Sequence, residues 1–96
     1  MPARPFLPGD VVLLEPAATR TLGYGLLVNA GGAERPVEAL VGTGPALYAA
    51  FAAGLTIAEA AADLATSTGQ DTEEVEPHVI AFATQLVEKC LAAAAS

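Results

Sequence analysis

The spacing of apolar positions changes near residue 42. Before it, apolar residues come in short runs separated by proline and glycine. After it, they recur at helical intervals in alanine-rich stretches. The first run, Val11-Val12-Leu13-Leu14, is bounded by Gly9-Asp10 and Pro16 and predicts a short buried strand. Residues Ala17 to Gly23 read as a loop. Tyr24 to Val28 reads as a second strand, with Gly25 placed for a bulge. Asn29 to Glu34 contains Gly31-Gly32, which suits a hairpin turn. Pro36 to Val41 alternates, with Val37 and Ala39 to one side and Glu38 and Leu40 to the other. Pro36 has no N–H for a ladder bond, so this third strand should begin at a sheet edge.

Three helices are expected after residue 42. Thr43 can cap the first, Pro45 fits its first turn, Leu47, Tyr48 and Phe51 supply its apolar face, and Gly54 ends it. Thr56-Ile57-Ala58-Glu59 is a capping-box signature for the second helix, which buries Ile57, Ala61 and Leu64 and stops at Gly69. Asp71-Thr72-Glu73-Glu74 offers another capping box, with acids where the helix dipole favours them. The third helix should run from about Thr72 to Leu91, with a kink or a 3₁₀ first turn at Pro77.

The expected architecture is α+β: three short antiparallel strands followed by three helices, in a winged helix-turn-helix-like order. The 96 residues make a single domain, with an ordered core at about residues 10–92. Of the 22 alanines, 16 follow residue 45. Alanine closes helix–helix gaps but buries little area, so the few large apolar side chains carry the core.

The third helix is wider in its apolar face than docking requires. On a helical wheel Val75, Val79, Phe82, Leu86 and Cys90 form one stripe, and Ala83, Val87, Ile80 and Leu91 extend it to about half the circumference, against the roughly 100° that a surface helix needs. Two explanations stand open. Both flanks are buried within the domain, or one of them meets a partner.

Charge and cysteine content narrow the class. A net charge of −7 repels phosphate backbones and anionic membranes, so neither nucleic acid nor a membrane is an expected partner. The acids on the third helix argue against the DNA-binding use of the winged-helix order. One cysteine forms no internal disulfide, and no zinc-ligand spacing occurs. The N-terminus lacks a secretory core, and a cytoplasmic location is expected.

No catalytic constellation emerges. His78 has no nucleophile or metal partner at a matching spacing and reads as a solvated helix histidine. Cys90 has apolar neighbours and reads as a packed or half-buried thiol. Gly42-Thr43-Gly44 and Gly23-Tyr24-Gly25 complete neither a dinucleotide fingerprint nor a P-loop. An acyl carrier would need a serine at a helix N-terminus, and Ser67 and Ser96 do not supply one. No cofactor or metal is expected, and the chain reads as non-enzymatic.

The series Thr43-Gly44, then Phe51-Ala52-Ala53-Gly54-Leu55-Thr56-Ile57-Ala58-Glu59-Ala60 and Leu64-Ala65, resembles the PqqD-like family of recognition elements from ribosomal-peptide natural-product pathways. The last helix continues the resemblance through Glu73-Glu74-Val75, Val79, Phe82, Leu86 and Cys90-Leu91, so that it covers roughly residues 10 to 92. Three positions depart from the pattern. Val41-Gly42 stands where Leu-Asn is common, His78 where an acid is common, and Cys90 where the family has a glycine.

The resemblance implies a binding module without chemistry of its own. It would hold the leader segment of a precursor peptide and present the peptide to a modifying enzyme or leader peptidase. The expected mode is strand addition along Val37, Glu38, Ala39, Leu40 and Val41, with the peptide's apolar side chains resting on Val79, Phe82, Ala83 and Leu86. Lys89 either pairs with an acidic leader residue or is a solvated lysine at the helix end. The competing reading is a winged-helix interaction or regulatory module not tied to a leader peptide, and a DNA-binding regulator stands third.

Overall fold

The computed structural model describes residues 4–29 and 37–95. Its elements are β1 (Ala18–Leu22), β2 (Gly25–Asn29), β3 (Glu38–Leu40), α1 (Gly44–Ala52), α2 (Ile57–Thr68) and α3 (Thr72–Glu88). The chain is therefore α+β, with three antiparallel strands followed by three helices, as the hydrophobic pattern implies. The expected turn at Gly31-Gly32 and the Pro36 edge lie outside the described residues.

The second and third expected strands are β2 and β3, but the first strand of the sheet is not the one expected. Val11–Leu14 does not join it. Only Val12 of this run is buried, and its backbone makes single bridges, Val11 to Thr56 and Leu14 to Ala92. Ala17 to Gly23 is largely strand rather than loop. β1 pairs with β2 from Ala18 opposite Asn29 to Leu22 opposite Gly25, across the two-residue turn Gly23-Tyr24. Gly23 takes φ 62, as the first position of a tight primed hairpin turn demands. Gly25 is no bulge but a close approach, since a Cβ there would stand 3.3 Å from the Leu40 carbonyl oxygen.

The order is β1-β2-β3, and β3 pairs with β2 through Leu26–Leu40, Leu27–Ala39 and Val28–Glu38. Directly opposed residues share a sheet face, so Leu26, Val28, Glu38 and Leu40 lie together. Val28 and Leu40 are buried, which identifies this as the face against the helices.

The Pro8–Glu15 segment ties the helices together. The first N–H groups of a helix lack internal partners. At the start of α2, Ile57 N–H donates to the Asp10 carbonyl at 2.8 Å and Ala58 N–H to the Pro8 carbonyl at 2.9 Å. Thr56 and Glu59 complete the expected capping box reciprocally. Farther along, Glu15 N–H donates to the Leu91 carbonyl and Ala93 N–H to the Leu13 carbonyl, which clamps the tail after α3.

Two of the other expected caps are not made. Thr43 and Asp71 occupy the N-cap positions of α1 and α3, but neither side chain bonds to a helix N–H. Pro77 lies inside a continuous α-helix whose first turn carries a 3₁₀-type bond, Glu74 N–H to the Asp71 carbonyl at 3.0 Å. The helix ends at Glu88, short of the expected Leu91, because Cys90 turns into the left-handed region at φ 61.

The width of the apolar arc on α3 is divided among three neighbours. Its centre, Val75, Val79, Ala83 and Leu86, is buried in the core. On one flank Ile80 and Val87 are half-buried, with Val87 beside Phe6 and Ala95. On the other flank Phe82 stacks on Phe51 with ring centroids 6.3 Å apart. Among the described residues no helix is long and apolar enough to cross a membrane.

Candidate functional site

β3 and α3 run past one another in opposite directions. Glu38 meets Lys89 at one end, Leu40 and Gly44 face Phe82 in the middle, and Thr43 meets His78 at the other. Between them lies a groove of about 240 Å³, bounded by Ala39–Val41 on the strand side and by Phe82, Gln85 and Leu86 on the helix side. Among the described residues β3 pairs only with β2, so its edge away from β2 carries backbone N–H and C=O groups with no strand partner.

Gly44 allows the groove to be this deep. A Cβ at that position would stand 3.3 Å from both the Leu40 Cβ and the Phe82 ring, tighter than ordinary contact. The missing side chain lets the start of α1 lie against α3 and leaves Phe82 partly uncovered on the groove side.

A polar contact stands at each end of the groove. Lys89 Nζ donates to Glu38 Oε2 at 2.9 Å. The lysine is therefore neither free for a partner's acid nor merely solvated. Thr43 Oγ1 and His78 Nε2 stand 3.0 Å apart, so His78 is bonded rather than simply solvated, and the threonine hydroxyl that failed to cap α1 is used here.

Of the residues expected to hold a peptide, Ala39, Leu40, Val41, Phe82, Leu86 and Lys89 border the groove. Glu38 stands at its end through the Lys89 bond, and Val37 is exposed just before β3. Val79 and Ala83 do not reach it. Both have 0% exposure and belong to the core.

Thr43, Gly44, His78 and Gln85 were missed. The signal available was periodic: His78, Phe82, Gln85 and Lys89 fall at helical intervals on one side of α3. The most apolar stripe marks the core, and the groove lies on its polar border.

Cys90 is exposed, contrary to the packed or half-buried thiol expected. Among the described residues no group of three or more His, Cys, Asp or Glu side chains could hold a metal ion. Comparison of the chain with protein-family models, with characterised proteins and with solved structures finds no match.

Proposed function

We propose that this chain is a non-catalytic peptide-binding protein of the cytoplasm. It captures the leader segment of a ribosomally synthesised precursor peptide and presents that peptide to a modifying enzyme. The observation that carries the reading is the free edge of β3 standing beside Phe82 and Leu86 across an open groove. An extended peptide added along Glu38–Leu40 satisfies backbone groups that have no strand partner among the described residues, and its alternate side chains rest on the half-buried Phe82 ring. The resemblance to the PqqD-like elements supports the same assignment. The opposite face of the sheet, with Val37, Ala39 and Val41 exposed, is the surface this reading leaves for the enzyme.

The test is a titration of the isotope-labelled chain with the leader of a short precursor encoded beside its gene. The expected result is a change confined to the amides of Glu38–Leu40 and to the Phe82 and Leu86 side chains. Changes along α2 with Glu38–Leu40 untouched overturn the reading in favour of a winged-helix interaction module.

A further inference from the structure

Thr43 and His78 also border a second cavity, of about 310 Å³, whose remaining walls are Leu64, Thr68, Gln70, Glu74 and Val75. The Thr43–His78 pair, 3.0 Å apart, thus stands between the two cavities and lines both. Along α3 the bordering residues Glu74, His78, Phe82, Gln85 and Lys89 recur every three or four positions and share one helix face. At a rise of about 1.5 Å per residue this face is about 22 Å long, the span of about seven extended residues.

We infer that the two cavities form one peptide channel and that the second receives a lysine or arginine side chain of the bound peptide. The inference rests on the peptide-binding reading above and adds to it the chemistry of one position. Leu64 and Val75 are buried and offer an apolar floor for an aliphatic stem. Beside them, the Glu74 carboxylate makes no hydrogen bond or ion pair among the described residues. The Gln70 amide oxygen lies 3.1 Å from the Thr68 hydroxyl, whose one proton is shared with the Leu64 carbonyl at 2.9 Å, so the amide oxygen has room for another donor.

The two ends of the channel differ in charge. Lys89 is already neutralised by Glu38, so that end makes no net demand. At the other end the start of α3 contributes roughly half a positive charge. Asp71, Glu73 and Glu74 outweigh it, leaving a negative field in a chain whose net charge is −7. A cationic side chain is attracted there, and a carboxylate is repelled.

The probe is a phage-displayed library of random seven-residue peptides, selected on the full chain and, separately, on its Glu74→Gln variant. Selection on the natural chain is expected to enrich lysine and arginine over aspartate and glutamate at one terminal position, and the variant is expected to lose that bias. In solution, the best selected peptide should bind about two- to fivefold more tightly than its Lys→Gln counterpart. That ratio should fall to one in Glu74→Gln, with the counterpart's affinity unchanged. Peptides that bind and shift Glu38–Leu40 but show no terminal preference, or a preference that survives Glu74→Gln, overturn the cationic position alone. Selection of no peptide above background rejects the peptide channel together with it.

Discussion

Lys89 Nζ lies 2.9 Å from Glu38 Oε2, so the residue that follows α3 is tied to the first residue of β3. The two ends of this contact are far apart in sequence and approach only once the sheet has packed beside the helices. Both side chains remain partly exposed, at 44% and 25%, so water and salt screen the pair. A double-mutant cycle with Glu38→Gln and Lys89→Met should give a coupling of about 0.2–1 kcal/mol at low salt. The coupling should shrink towards zero near 1 M salt, where screening acts over about 3 Å. A coupling that does not change with salt would mean that the contact is held by packing and not by charge.

Phe82 and Val79 separate the groove from the core. They are neighbours on the apolar arc of α3, yet Phe82 is half-buried at the groove and Val79 is fully buried. Phe82→Ala should cost about 2 kcal/mol, less than the 3–5 of a fully enclosed phenylalanine. Val79→Ala should cost a similar amount, about 2 kcal/mol, from two lost methyl groups and the cavity they leave. Chemical denaturation measures both. Peptide titration should then distinguish them, with affinity lost in Phe82→Ala and retained in Val79→Ala. Equal loss in both variants would show that affinity follows general stability and not the groove.

The helical half was largely legible in sequence because its signals are local. The Thr56–Glu59 box, the glycine stops at Gly54 and Gly69, and the spacings of Leu47 and Phe51 and of Ile57, Ala61 and Leu64 are all set within one or two turns. The sheet was harder to read. β1 has every residue exposed, so it leaves no burial pattern and is held by backbone pairing across Gly23-Tyr24. Val11–Leu14 carries the stronger apolar signal, but it serves to brace α2 and the tail. Thr43 and His78 are polar residues far apart in sequence, and only the docking of α1 on α3 brings them together.

Asp10 carries a pH dependence of stability. The Arg4 guanidinium donates to both of its carboxylate oxygens at 2.7 Å, and Leu7 N–H donates at 2.7 Å as well. These bonds, the guanidinium first, hold the Asp10 carboxyl down to about 2 from an ordinary 3.8. Because the folded-state value is depressed, the stabilising contribution is complete above pH about 4 and disappears as pH falls through about 2. A carboxyl titration followed by NMR should place Asp10 at about 2, and Arg4→Gln should raise it only part of the way back, because the Leu7 N–H bond remains. Asp10→Asn should flatten the acid limb of the stability curve between those two pH values. An unchanged acid limb would remove the pair from any part in acid stability.

Cys90 occupies the position at which α1 uses a glycine. At the end of α1, Gly54 sits at φ 86, with its N–H bonded to the Phe51 carbonyl and Leu55 N–H bonded to the Ala50 carbonyl. The end of α3 repeats this pattern. Cys90 sits at φ 61 with its N–H bonded to the Val87 carbonyl, and Leu91 N–H is bonded to the Leu86 carbonyl at 2.8 Å. Both are Schellman ends, which need one residue in the left-handed region. A side chain there crowds the following carbonyl at a cost of roughly 1–2 kcal/mol, and glycine avoids it. The thiol is exposed and its loss removes no core contact. Cys90→Gly should therefore stabilise the chain by about 1 kcal/mol, read as a rise in the denaturant midpoint at constant slope. Cys90→Ala keeps the crowded Cβ and should change stability by less than about 0.5 kcal/mol. If both variants raised the midpoint equally, the gain would come from removing the thiol, and the left-handed turn would carry no strain.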